Sequence, residues 1–160
     1  MKAILVIAAV LATSVMMAVG GAPPSQVPNP KLTPGVVRTS DLATLLSTEH
    51  AAEAGRPTVA VKDEVWREYG YSGPHDGVHW EFDHLVPIEC GGANDIRNLW
   101  PEPRTGPWNA YDKDKLEDAC GRAIRMHAVT VAQAQSLFLA PTDWRVSYRQ
   151  VFGSAPLDAK

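Results

Sequence analysis

The chain spells out an α+β domain, a strand–strand–helix unit with further short helices around it, on three observations. The stretch "WEFDHLVPI" is rich in aromatic and branched residues and carries a proline near its end, the mark of a strand running into a turn. A second apolar run, "IRNLW", follows across the glycine- and Asx-rich "CGGAND", so two strands are joined by an unusually broad loop. Beyond "PEPRTGP", the stretch "WNAYDKDKLEDACGRAIRMH" sets Leu116, Ala119, Cys120, Ala123, Ile124 and His127 at helical spacing.

The first residues, "MKAILVIAAVLATSVMMAVGG", combine one lysine, a long apolar run and small residues suited to a signal-peptidase cut. Residues 1–20 are expected to be an export signal, placing the mature chain outside the cell or in the periplasm. An uncleaved anchor is the alternative, because the apolar run nearly suffices to span a bilayer. No other stretch is apolar enough to do so.

Residues 21–38 are rich in proline and small polar groups and are expected to form an extended linker rather than packed structure. The folded domain is expected over 39–153, with its strand–strand–helix core at about 79–127 and a flexible tail over 154–160. "TSDLATLLS" offers Ser40 or Asp41 as a helix cap, and "VAVKDEVWREYGY" puts Val61, Val65, Trp66 and Tyr69 on one helical face. "TVAQ" at 130–133 matches a capping box for a helix ended by Pro141, and "TDWRVSYRQVF" predicts a last helix with Trp144, Tyr148 and Val151 inward.

The 160 residues carry 15 Lys and Arg against 18 Asp and Glu, a net charge of −3. Removal of 1–20 takes away only Lys2 and leaves the mature chain at −4. A whole-chain basic field is absent, so a nucleic-acid ligand would need a local patch. Cys90 and Cys120 suit a disulfide in an exported protein, worth on the order of 3–4 kcal/mol for a loop of about 30 residues. Two buried thiols are the alternative.

The ordered residues "DHLVP...GG...ND..NLWPE...N...K" resemble the HNH, or His-Me finger, endonucleases, and more closely the small exported bacterial HNH-like proteins. The likeness is sharp over about 83–118 and looser to about Tyr148. It implies a ββα-metal unit and metal-dependent hydrolysis of nucleic-acid phosphodiester bonds, with DNA ahead of RNA as substrate. Residue by residue, it implies His84 as general base, Asp83 and Asn109 as ligands of one divalent cation, Mg²⁺ or Mn²⁺, and Asn98 as support for the loop and for His84. Lys113 would reach phosphate or shape the site.

The chemistry agrees with these residue types. A carboxylate and an amide oxygen leave open positions on Mg²⁺ for water and substrate, and an imidazole that titrates near neutrality can take a proton from the attacking water. Neighbours on a strand point to opposite faces, so Asp83 and His84 can share a site only where the strand ends or bends.

Plainer roles are open for each residue. Asp83 and His84 could fix the turn, Asn98 could satisfy loop backbone, Asn109 could cap its helix, and Lys113 could pair within "DKDKLED". Trp80, Trp100 and Trp144 read as core, whereas an exposed Trp108 or Tyr111 could stack on a base. A non-catalytic extracellular or envelope module on the same scaffold is the alternative function, and another phosphate ester is the alternative substrate.

Overall fold

A computed structural model of the chain describes residues 26–47, 56–139, 141 and 143–157. The expected export signal and residues 21–25 of the expected linker lie outside the described residues.

The architecture is mixed α and β. Strand β1 (Trp80–His84) pairs antiparallel with β2 (Leu99–Pro103), setting Glu81 opposite Glu102 and Asp83 opposite Trp100. Facing partners share a face of the pleat, so these four residues look to one side. The helices among the described residues are α1 (Leu42–Leu45), α2 (Val59–Glu68), α3 (Ala110–Arg125), α4 (Val131–Gln135) and α5 (Trp144–Phe152). Helix α3 meets the carboxylate face, where Lys113 reaches Asp83. On the other face Trp66 of α2 meets Trp80 and Phe82 at ring-centroid distances of 5.1 and 6.2 Å.

The strands are shorter than the apolar runs. Ile96–Asn98, expected at the head of the second strand, form a 3₁₀ turn, because the Asp95 side chain accepts from the Arg97 N–H and folds the chain back before Leu99. A second 3₁₀ turn, Ile88–Cys90, follows Pro87. The two glycines are required by contact: a β-carbon on Gly91 would stand 2.2 Å from the Thr39 carbonyl oxygen, and one on Gly92 would stand 1.9 Å from that of Val86.

The segment expected to be an unpacked linker belongs to the domain from its first described residue onward. Thr33 is buried, and its hydroxyl donates to the Leu99 carbonyl at 2.7 Å. Arg38 N–H donates to the Gly91 carbonyl at 2.9 Å, and Val37 forms a bridge with Gly92. Proline denies this stretch a helix but leaves an extended chain able to lie along the glycine loop. Residues 33–38 therefore lie against β2 and the glycine loop. The tail is also tied down in part, since Pro156 is buried and Ala155 packs on the core.

Of the expected caps, Asp41 caps α1 and Thr130 with Gln133 forms the capping box of α4, while Thr58, which was not expected, caps α2. Helix α4 stops at Gln135, well before Pro141. Leu116, Cys120 and Ile124 of α3 are buried, whereas His127 lies past the helix end with φ of +55° and is exposed. Trp144 and Tyr148 face inward as expected, but Val151 is 45% exposed. Trp108 is buried against Trp144 and Tyr148, with both centroids at 5.6 Å.

Cys90 and Cys120 are both buried and stand as thiols in mutual hydrogen-bonding contact. That bond and burial push the Cys90 thiol well above its ordinary range. Among the described residues, no helix is long and apolar enough to cross a membrane.

Candidate active site

Two recesses meet at the end of β1. One, of about 450 Å³, is walled by Asp83, His84, Glu89 and Glu117 over an apolar floor that includes Leu45 and Ile124. The other, of about 610 Å³, runs along β1 toward α2 and is also bordered by Asp83 and His84. Because His84 is the last residue of the strand, the alternation that would separate these two side chains no longer does so, and both reach the same opening.

The His84 ring is held by a residue that the sequence reading passed over. Its Nε2 faces the Asn94 Oδ1 acceptor at 3.1 Å, so the neutral ring carries its proton on Nε2 and presents Nδ1 as the basic atom. Burial lowers the imidazole pKa below its ordinary value, outweighing the Asn94 bond and the Asp83 charge, which raise it. The ring is accordingly neutral at pH 7 and able to accept a proton.

Behind this ring lies a buried ammonium. Lys113 is fully enclosed, and its Nζ donates to Asp83 Oδ2, to Glu117 Oε1 and, at 2.8 Å, to the His84 carbonyl. Three donors meet three acceptors, so none is left for a phosphate. Lys113 therefore braces the end of β1 and has no donor free for a phosphate.

The carboxyls around it divide into two kinds. Burial is the largest single influence on Asp83 and works against its charge, but the Lys113 ammonium, hydrogen bonding and the neighbouring His84 together hold the carboxyl below its ordinary value. Burial drives Glu102 and Glu117 well above theirs, toward the neutral form, against the pull of Lys113. Neither Glu102 oxygen has a partner in hydrogen-bonding geometry, although the carboxyl lies near enough to Asp83 for the two to influence each other's proton.

Asn98 is fully buried and spends its amide on the loop. Its Oδ1 accepts from the Val86 N–H at 2.9 Å and its Nδ2 donates to the carbonyls of Val86 and Ala93 at 3.0 and 2.9 Å. It supports the loop as expected, while the His84 ring is held by Asn94 instead. Asn109 caps α3: its Oδ1 accepts from the Tyr111 N–H at 3.0 Å and its Nδ2 donates to the Gly106 carbonyl at 2.7 Å. It borders neither recess.

Asp83 and Asn109, the pair implied for a divalent cation, do not line a common recess among those described. Asp83 is engaged by an ammonium, Asn109 is engaged by a helix terminus, and the described residues contain no group of three or more His, Cys, Asp or Glu arranged to hold a metal. Holding the ion would require Asp83 to share its carboxylate with Lys113 and Asn109 to turn from the helix terminus.

The residues missed in the sequence left uneven signals. Glu117 stands one helical turn beyond Lys113, a spacing at which a carboxylate and an ammonium meet. Glu102 shares the Asp83 face through the pairing of Glu81 with Glu102. Asn94 left none, because its role depends on the path of the loop. Of the two aromatic residues weighed for base stacking, Trp108 is buried, whereas Tyr111 is 53% exposed beneath the Arg104 guanidinium.

No protein-family model, curated protein or solved structure matches this chain.

Proposed function

We propose that this chain is an exported nuclease of the HNH type that hydrolyses phosphodiester bonds in nucleic acid, DNA ahead of RNA. The observation that carries the reading is the neutral His84 ring, fixed through Nε2 by Asn94 and lining an opening shared with Asp83. In this reading a water placed against Nδ1 loses its proton to the ring as its oxygen bonds to phosphorus. The opposite phosphorus–oxygen bond breaks, and the departing oxygen takes up a proton.

The mature chain is incubated with DNA and with RNA in Mg²⁺, in Mn²⁺ and in EDTA, because the resemblance implies a divalent ion while the geometry assigns it no pair of ligands. Cleavage by the wild type that is lost in a folded His84→Ala protein supports the proposal. A wild type inert under all these conditions overturns it.

A second reading is a non-catalytic extracellular or envelope module. It is favoured by the engagement of Asp83, Asn109 and Lys113 in holding the scaffold. Partner binding that survives in Asp83→Asn and His84→Ala proteins, with no hydrolysis in any form, would establish it.

A further inference from the structure

The recess along β1 and α2 is lined differently from its neighbour. Its floor holds the half-buried rings of Trp80 and Phe82, and its rim carries Arg56, Lys62 and Arg104. Acidic groups border it too, but they are engaged: Asp76 by His79 at 2.9 Å, Glu81 by Arg104 at 2.9 Å, and Asp83 by Lys113. Arg56 and Lys62 have no ion-pair partner among the described residues, and Lys62 Nζ lies 5.9 Å from the centre of the Phe82 ring. Two cations with no ion-pair partner among the described residues, above an aromatic floor, are the pattern that tracks a phosphate backbone while bases rest on rings.

The recess also leads somewhere. It shares Asp83, His84 and Ile88 with the recess beside Glu117, so a strand lying in it brings one of its phosphates beside Asp83 and His84. A volume of about 610 Å³ is in the range of a small-ligand pocket and admits a nucleotide or two rather than a duplex laid flat.

Resting on the nuclease reading above, we propose that this recess is the subsite for single-stranded nucleic acid flanking the scissile bond, with Arg56 and Lys62 as its phosphate-binding residues. The ligand class is a single-stranded polynucleotide. A folded duplex must open locally to enter.

The test uses the mature chain carrying His84→Ala, to prevent cleavage, and a fluorescent single-stranded oligodeoxynucleotide read by anisotropy over a series of salt concentrations. Loss of two phosphate contacts lowers the slope of log K against log salt by about 1.4 and weakens binding about 25-fold at 0.1 M salt. The variant Arg56→Gln/Lys62→Gln is expected to show both effects. A control, Lys31→Gln/Arg122→Gln, removes the same charge from other exposed positions and is expected to bind within about twofold of its parent. Thermal melts of both double variants confirm that they are folded.

Equal binding by the Arg56/Lys62 variant and its parent, or equal weakening in both double variants, overturns the subsite and leaves the nuclease reading standing. A wild-type chain that neither binds nor cleaves any nucleic acid overturns that reading, and the subsite with it.

Discussion

The ammonium of Lys113, on helix α3, donates to the main-chain carbonyl of His84 at 2.8 Å, joining the helix to the last residue of the strand that carries the proposed base. The same ammonium is the counter-charge of Asp83 and touches Glu117. A single enclosed cation thus fixes the strand end in place and lets Asp83 remain ionised in a buried setting.

Lys113→Met is therefore expected to be severe. Methionine fills much of the volume but leaves Asp83 as an uncompensated buried charge, a loss of about 3–5 kcal/mol for the breaking of an enclosed pair. Urea denaturation at pH 7 reads it as a lower midpoint at unchanged slope. A midpoint equal to that of the wild type would show that the ammonium contributes nothing to the fold.

How much of this was legible in advance depends on the range of the interaction. The hairpin and helix were readable because periodicity and turn chemistry are local, and Thr130 with Gln133 announced their cap within four residues. The packing of residues 26–38 was hidden, because their partners at Gly91, Gly92 and Leu99 are remote in sequence and proline-rich composition resembles a free linker. Asn109 shows the limit from the other side: its residue type suits a helix cap and a metal ligand equally, and only the geometry places its oxygen on the Tyr111 N–H.

The pair His84 and Asn94 makes a prediction that a purely structural role would not. His84→Ala is expected to reduce cleavage about 10²- to 10⁴-fold, the usual contribution of a positioned general base. Activity requires the neutral ring, so the acid limb of the pH–rate profile is expected below the ordinary histidine value of 6.5, since burial lowers the folded-state pKa. The Asn94 bond raises that pKa, so Asn94→Ala moves the limb to still lower pH while reducing the plateau rate. A limb that shifts upward, or stays in place, contradicts the assignment.

Glu102 links the site to the pH dependence of folding. Its folded-state pKa is raised by burial, so above the ordinary glutamate value of 4.5 the unfolded chain releases a proton that the folded chain still holds. Stability therefore falls as pH rises from about 4.5 toward the raised value and levels off above it. Glu102→Gln keeps the shape and removes this titration, and it is expected to flatten the decline, with Glu117 supplying what remains in the same direction. Urea midpoints at pH 5 and pH 8 test it: the variant gains on the wild type more at pH 8 than at pH 5. An equal difference at both values would place the proton elsewhere.

Cys90 and Cys120 bring the broad loop and helix α3 into contact directly behind Glu89 and Glu117, two walls of the first recess. Two thiols already touching can be joined with little rearrangement, and an oxidising compartment preserves the bond once it forms. Protein recovered from the periplasm or medium is expected to resist alkylation until reduced. Its urea stability should exceed that of the reduced form by about 3–4 kcal/mol, the chain-entropy value for a loop of about 30 residues. Cys120→Ala should match the reduced protein to within the small cost of a lost buried sulfur, and reductant should leave its midpoint unchanged. If both thiols of the exported protein alkylate without reduction, they serve the core as packed side chains and add no covalent brace to the site.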